Sequence, residues 1–378
     1  MDVGRVMRVL VVNAGSSSLR LRLLDPEDVV LAEEHLERWD PADEEAITTI
    51  VNRFPRPDAV GHRVVHGGER FTRPTPLNEE VEDGIAELSR LAPLHQPRAL
   101  AAIRGVSAVL PDVPAVACFD TVFHTTLPTA ASTYALPGEW RDRWGLRRFG
   151  FHGLSHAYAV RRTAAILGHT DTGFRVVSCH LGAGASLCAA IDGRSVDTTM
   201  GFTPLEGLVM ATRSGSVDPG LVLWLITVAG LSPADVSEGL EQRSGLAGLS
   251  GHSGDMRHVL AARQEGKKEA VIAFDVYLHR LVREIAAMTA SMGGIDALTF
   301  TGGVGEHSPV VRAEVASRLG YLGVAVDPNK NSATVGVDAV IGVDGSPVQT
   351  VVVQAREDLE IARQTRVLIA NQTERTPR

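Results

Sequence analysis

Along the first half of the chain, apolar runs are separated by short glycine- and serine-rich breaks. Val6–Asn13 is a β-branched run ending in Asn13-Ala14-Gly15-Ser16-Ser17-Ser18, and Leu19–Leu24 follows as an alternation of Leu and Arg. Strand, small-residue turn and strand predict a β-hairpin. The acidic stretch to about Pro57 reads as surface with one helix over Glu44–Arg53. Ala59–His66 predicts a strand broken by Gly67-Gly68, Glu79–Leu91 and Pro97–Leu110 carry helical spacing, and Val113–Phe119 reads as a buried strand. Phe123–Gly153, rich in Thr, Pro, Gly, Arg and Trp, lacks periodicity and suits a long functional loop or a crossover between domains.

The opening pattern then recurs. Arg175–Leu181, the turn Gly182-Ala183-Gly184 and Ala185–Ile191 repeat strand, small-residue turn and strand, which suggests an internally duplicated, two-lobe architecture. Helices are expected at Pro219–Ala229 and Lys268–Met292. The strand Asp296–Thr301 runs into a glycine turn, Gly302-Gly303-Val304-Gly305-Glu306. Ser308-Pro309 is a favourable N-cap and N1 pair for a helix to Leu319. Strands near Val337–Gly342 and Thr350–Gln354 and a last helix from Glu357 to Ile369 complete the expected elements.

The chain has 378 residues, which at about 150 residues per domain suits two domains or three. A net charge of -8 argues against general binding to nucleic acid or anionic membrane, so an anionic substrate would need local arginines. Cys118, Cys179 and Cys188 have no CxxC spacing and read as reduced core residues of a cytoplasmic protein. The longest apolar run, Leu221 to Gly230, is too short for a bilayer span, and the N-terminus lacks a signal-peptide pattern. A soluble, intracellular protein is the expectation.

Three small-residue turns follow β-runs, at 13–18, 182–184 and 302–306, where exposed backbone N–H groups would favour phosphate. There is no GxxxxGK[ST], and no GxGxxG follows the first strand, which disfavours a P-loop enzyme and a dinucleotide dehydrogenase. Arg63 and Arg213 have no carboxylate close by in the sequence, so a bound anion is a candidate partner for each, against the alternative of exposed arginines. His152 and His156 are four apart, but Gly153 lies between them and no Glu adjoins His152. A hydrogen-bond donor to a developing anion suits His152 better than a zinc ligand, with a structural loop histidine as the alternative. Asp120 follows a buried strand, a favoured place for functional carboxylates in α/β folds. Glu357-Asp358 opens the last helix, where charge compensation alone would also suit it.

Together the segments NAGSSSL (13–19), GHRVVHGGE (61–69), LAPLHQP (91–97), FDTVFH (119–124), FGFHGLSH (149–156), HLGAGAS (180–186), DTTMGFTPLEGLVMATRSGSVDP (197–219) and FTGGVGEHS (300–308) closely resemble the acetate kinase family. The resemblance spans residues 8 to 370. It implies an α/β, duplicated two-lobe actin-like ATPase fold with a nucleotide cleft between the lobes. The expected lobes are 1–123 plus 359–378, and 124–358 with the nucleotide site. It further implies reversible, ATP-dependent phosphorylation of acetate to acetyl phosphate, with Mg²⁺ (or Mn²⁺), and a homodimer through the second lobe.

On this resemblance Arg63 and Arg213 would hold the acetate carboxylate and the transferring phosphoryl group, and His152 would donate to its equatorial oxygens. Asn13 and Glu357 would hold the metal directly or through water. Arg20, His180, Leu181, Gly182, Ala183, Gly184, Asp255, Met256, Arg257, Gly302, Gly303, Val304, Gly305 and Glu306 would contact the nucleotide. Val65, Leu94, Phe151 and Pro204 would line the pocket for the methyl group, with Val65 expected on the same side of a strand as Arg63. The family casts Asp120 as a base. Acetate, however, titrates near ~4 and is already ionised at neutral pH, so orienting an arginine, a water or the metal suits Asp120 better.

Three departures from the family's pattern stand out: Arg20 replaces a lysine, Ala183 an asparagine, and Ala355-Arg356 the residues before the metal carboxylate. They bear on nucleotide affinity and turnover, not on reaction class. Propionate or butyrate kinase is the alternative within the family. An actin-like nucleotide switch with little transfer activity is the alternative outside it.

Overall fold

The computed structural model describes residues 7–15, 18–93 and 95–375. The chain forms two compact units. One takes the chain up to Thr125, then Phe151–Tyr158 and everything from Arg356; the other takes Thr126–Gly150 and Ala159–Ala355. Phe151–Tyr158 is thus grouped with the first unit, whereas the expected second lobe ran unbroken over 124–358.

The first unit is built on β1 (Val9–Ala14), β2 (Leu19–Leu24), β3 (Val30–Leu36), β4 (Ala59–Val64), β5 (Thr75–Pro76) and β6 (Ala115–Phe119). Their order is β3-β2-β1-β4-β6-β5. The first three strands form an antiparallel meander, β1, β4 and β6 run parallel, and β5 is antiparallel to β6. Alternation on β1 decides which helix covers which face. Leu10, Val12 and Ala14 share a core with Ile47 and Ile50 of the helix Glu44–Arg53 and with Ala102 and Val106 of the helix Gln96–Val109. Val9 and Val11 pack with Ile361 and Ala362 of the helix Glu357–Arg375. Cover on both faces is why β1 and β6 read as continuous apolar runs.

The second unit repeats this plan. Its strands are β7 (Arg175–Leu181), β8 (Ala185–Ile191), β9 (Arg194–Thr198), β10 (Ala297–Thr301), β11 (Ala339–Val340) and β12 (Gln349–Val352). They are ordered β11-β12-β10-β7-β8-β9. Again the first three form an antiparallel meander, β7, β10 and β12 are parallel, and β11 closes the edge antiparallel to β12. The expected duplication is therefore present strand for strand.

Several elements differ from expectation. The apolar pattern predicts neither β3 nor β9. β3 is a mostly exposed edge strand with two adjacent glutamates, so it lacks the buried alternation that marks a strand. Phe123–Gly153 contains the short helices Thr129–Ser132 and Gly138–Trp144, and a helix, Gly153–Ile166, begins where a loop was expected. Gly302–His307 is itself helical rather than a turn, and Ser308 then caps the helix Pro309–Arg318 by accepting from the Val311 amide. The three cysteines are buried and unpaired, as anticipated. Among the described residues no helix is long and apolar enough to cross a membrane.

Candidate active site

In the first unit the carboxyl ends of the parallel strands carry the charged residues. The register Val12↔His62 sets Asn13 beside Arg63, and Asp120 follows β6 with its N–H bonded to the Val64 carbonyl at 3.0 Å. Arg63 donates from Nε (3.1 Å) and Nη2 (2.7 Å) to Oδ2 of Asp120, and from Nη1 to Oδ1 of Asn13 at 3.2 Å. Asn13 Nδ2 donates to Oε2 of Glu357 at 3.4 Å, and that carboxylate lies 3.9 Å from Arg63 Nε. Arg63, which has no carboxylate close by in the sequence, finds one in Asp120, 57 residues away, so the arginine that Asp120 is expected to orient is Arg63. These three bonds use three of the five guanidinium N–H groups, leaving two for a further acceptor.

Asp120 is only 1% exposed. Burial, reinforced by the Glu357 charge, pushes its carboxyl above the ordinary aspartate range despite the opposing pull of Arg63. Burial disfavours the Arg63 cation, but Asp120 and Glu357 outweigh it and hold the guanidinium firmly charged. An arginine fixed by a bidentate carboxylate presents its remaining donors in one orientation.

The same aspartate anchors the turn that carries His152. The Gly153 N–H donates to the Asp120 carbonyl at 2.9 Å, and a Cβ on Gly153 would lie 2.1 Å from that oxygen, so only glycine fits. His152 is left-handed, at φ 54°. For a non-glycine residue this costs on the order of 1–3 kcal/mol, strain that concentrates at functional positions. Phe151 is buried and meets the His66 ring edge-on at 5.3 Å. Val65 is also buried, but β4 ends at Val64 and Val65 lies in the bend beyond it. The strand-alternation argument for its direction therefore fails. Of the predicted residues, Leu94 lies outside the described residues, as do Ser16 and Ser17 of the first turn.

Arg20 stands directly opposite Asn13 in the β1–β2 register and is exposed, 3.9 Å from Glu33. Arg356, the cation beside Glu357, is taken up by Asp358: its Nε donates at 2.9 Å and its Nη2 at 2.8 Å, while Arg22 approaches the same carboxylate at 3.1 Å. Glu357 keeps its own charge for other partners. Among the described residues no group of three or more His, Cys, Asp or Glu could hold a metal ion. Asn13 and Glu357 nevertheless fit Mg²⁺, because they are oxygen donors and Mg²⁺ takes one or two carboxylates plus waters and substrate phosphates rather than an all-protein cage.

In the second unit the equivalent strand ends carry glycines. The register sets His180 opposite Thr301, so Leu181-Gly182 and Gly302 leave adjacent parallel strands together. Gly302 has φ +77° and a Cβ there would lie 2.8 Å from the Leu181 carbonyl, whereas Gly303 is open. The Gly182 N–H closes the 182–184 turn on the Gly184 carbonyl at 2.9 Å. The Ala183 carbonyl accepts from the Ala211 amide at 3.1 Å, which ties the turn to the Arg213 loop. A second tether comes from Leu246 and Ala247, whose amides donate to the Met210 and Ala211 carbonyls at 2.9 Å. Gly254, where a Cβ would lie 2.5 Å from the Ala211 carbonyl, leads into Asp255, which caps the helix Met256–Gln264.

Ala183 and Gly254 thus meet at the Ala211 backbone, while Gly302 adjoins Leu181 on the neighbouring strand. The side chains of Met256 and Leu181 are buried, and Arg257 folds onto Asp255, whose carboxyl the Arg257 hydrogen bonds pull down to about 2. Arg213 is half-buried, donating from Nη1 to the Pro204 carbonyl at 3.0 Å and to Met210 Sδ at 3.5 Å. Among the described residues it has no carboxylate at ion-pair distance, and burial pushes its pKa down.

Sequence reasoning missed Arg312. It is fully buried, and its five hydrogen bonds, all to uncharged oxygens, include the Gly305 and Glu306 carbonyls at 2.8 Å. Burial pushes it down to about 10, which leaves it charged at neutral pH. It fixes the far end of the Gly302–His307 helix. The available signal was an arginine on the same helical stripe as Val311, Val315 and Ala316.

A duplicated α/β scaffold with a carboxylate–arginine cluster on one sheet and glycine-lined strand ends on the other has the parts of a phosphotransferase. The comparisons name the family. The Acetokinase family profile matches residues 42–363. An acetate kinase of Thermotoga maritima is 42% identical, covering 96% of this chain and 99% of its own length. Among solved structures, an acetate kinase of Porphyromonas gingivalis superposes with a TM-score of 0.88 at 35% identity, covering 96% of this chain and 99% of that one. A propionate kinase of Francisella tularensis reaches 0.87 at 34% identity, covering 95% and 99%. The chain belongs to the acetokinase family.

Proposed function

We propose that the chain transfers the γ-phosphoryl group of ATP to acetate, giving acetyl phosphate and ADP, reversibly. A carboxylate oxygen of acetate attacks the γ-phosphorus in line while the bond to the ADP oxygen breaks, and ADP leaves with that electron pair. No base is required, since the nucleophile is already an anion. The demand on the protein is positioning and charge neutralisation. The observation that carries the reading is Arg213, a half-buried cation whose protein partners are a carbonyl and a sulfur. Such a cation is best satisfied by a ligand anion.

In the first unit Asp120 holds Arg63 so that its remaining N–H groups meet an anionic oxygen. His152, in its strained turn, donates to the equatorial oxygens as charge spreads. Val65, Leu94 and Phe151 give apolar contact to the methyl group. The 182–184 turn, with His180 and Leu181, the segments 255–257 and 302–306, and Arg20 serve the nucleotide. Asn13 and Glu357 hold Mg²⁺, which when bound supplies positive charge to the phosphates. A nucleotide switch has no use for such an arginine pair.

A cytoplasmic homodimer follows from the same reading. The helix Pro219–Thr227 supports it, with Leu221, Leu223 and Trp224 at 46%, 62% and 50% exposure beside exposed Val228 and Leu231. Clustered apolar exposure marks an interface. Leu223→Glu should turn a dimer into a monomer by sedimentation; an unchanged sedimentation coefficient contradicts this surface.

Acetate is preferred over propionate on this reading, although a propionate kinase is a structural relative. The test is steady-state kinetics with ATP, Mg²⁺ and acetate, propionate or butyrate. The highest kcat/KM should be with acetate. A preference for propionate would move the assignment within the family, and no carboxylate-dependent ADP release would overturn it.

A further inference from the structure

Outside the residues assigned above, one part-buried polar network stands out in the second unit. The Tyr134 hydroxyl donates to Glu206 Oε2 at 2.6 Å, and Arg148 Nη2 donates to Glu206 Oε1 at 2.6 Å. The Tyr134 oxygen in turn accepts from the Phe202 amide at 2.9 Å. Arg148 Nη1 reaches the carbonyls of Thr199 (3.2 Å) and Met200 (3.0 Å), and its guanidinium lies 5.6 Å from the Tyr134 ring centre. Gly201 sits within the network: a Cβ there would lie 1.8 Å from Glu206 Oε2 and 2.1 Å from the Tyr134 oxygen. The segments of Tyr134 and Arg148, distant in sequence, are thereby tied to 199–206.

What this backbone carries gives the network its consequence. Its Pro204 carbonyl accepts from Arg213 Nη1, and just beyond it the Gly207 N–H donates to Ser216 Oγ at 2.9 Å, closing the segment onto the Arg213 loop. Among the described residues Arg213 has no carboxylate at ion-pair distance, so its direction depends on where the Pro204 carbonyl and the Met210 sulfur hold Nη1. Glu206 lies two residues away, yet its charge is spent on Arg148 and Tyr134.

We propose that Tyr134, Glu206 and Arg148 are positioning residues for Pro204 and Arg213, so that the trio sets affinity and chain-length selectivity for the carboxylate substrate while leaving nucleotide affinity alone. This rests on the acetate-phosphorylating reading given above. A hydrogen bond to a charged group whose loss moves the loop should cost about tenfold in substrate affinity.

The experiment compares the full-length protein with Tyr134→Phe, which keeps the ring and removes the donor to Glu206 and the acceptor for Phe202. Glu206→Gln, which keeps the shape and removes the charge, is the second variant. Kinetics with acetate, propionate and ATP are combined with hydrogen exchange over 199–216. The expected result is a roughly tenfold higher KM for acetate, a propionate-to-acetate ratio of kcat/KM moved about threefold or more, and a KM for ATP within about twofold. Amide exchange should accelerate at 199–216 and not at 302–318. Unchanged exchange at 199–216 overturns the proposal, as does an acetate KM within twofold of the parent in both variants. Parallel rises in both KM values with a general loss of exchange protection overturn it too, because they mark ordinary destabilisation. A parent protein that does not phosphorylate acetate overturns the functional reading instead, and the exchange pattern still decides the positioning role.

Discussion

The central strands of the two sheets have the same neighbours and directions, but their carboxyl ends carry different chemistry. In the first unit they lead to Asn13, Arg63 and Asp120, side chains bonded to one another. In the second they lead to Gly182 and Gly302, where a Cβ on Gly302 would meet the backbone of the neighbouring strand. One scaffold thus offers side-chain charge at one copy of an edge and bare backbone at the other. Charge suits a small carboxylate and a metal, while backbone N–H groups suit phosphates. The arginines follow the same division. Arg63 is neutralised by the protein's own carboxylates, whereas among the described residues Arg213 hydrogen-bonds a carbonyl and a sulfur and has no carboxylate at ion-pair distance.

The contrast breaks most visibly at Arg63. Arg63→Met leaves Asp120 buried without its cation, which should cost about 3–5 kcal/mol of stability at neutral pH. The loss should shrink toward pH 5, because the unpaired carboxyl can then take up a proton and escape the cost of buried charge. Urea unfolding at both pH values measures it. A stability within about 1 kcal/mol of the parent at neutral pH would mean the pair contributes nothing.

Glu357→Ala tests the metal side of the first cluster. Activity should collapse at low Mg²⁺ and recover in part as Mg²⁺ is raised. A Mg²⁺ titration with an unchanged midpoint would reduce Glu357 to compensating the helix terminus.

A smaller effect is expected in the pH profile. Burial raises the Asp120 carboxyl, so it takes up its proton at a higher pH than the ~4 of a free aspartate and releases Arg63 there. The acid limb of kcat/KM should therefore lie well above pH 4. It should disappear in Asp120→Asn, whatever activity that variant retains. A limb that persists there belongs to another group.

The smallest change sharpens the backbone side. Ala183 is exposed on the 182–184 turn, and Ala183→Asn should tighten binding of a non-hydrolysable ATP analogue by roughly 0.5–1.5 kcal/mol, the worth of one hydrogen bond. Calorimetry giving an equal or weaker affinity would show that the turn is complete with alanine.

Much of this division was legible in the sequence wherever information is local. β2, β7 and β8 have the limits their apolar patterns predicted, and the repeated strand–turn–strand gave the duplication. What stayed hidden depends on distant partners. Arg63 looked unpaired because Asp120 and Glu357 meet it only through the sheet register and the last helix. Glu206 read as one acidic residue in a long motif, although its neighbours in space are Tyr134 and Arg148. Val65 was given a direction from strand alternation that ends one residue too early to apply. The glycine run at 302–305 suggested a turn, since low helix propensity hides a helix whose far end Arg312 bonds through the Gly305 and Glu306 carbonyls.

Arg213→Met tests the central claim most directly, because among the described residues it removes a cation that forms no ion pair within the fold and that the proposed function gives to a ligand. Paired measurements of kcat/KM for acetate and of unfolding free energy are required. The account predicts at least ~100-fold lower kcat/KM, about 2.7 kcal/mol of transition-state stabilisation, with stability unchanged or raised. Activity within fivefold of the parent, or a stability loss matching that of Arg63→Met, would contradict it.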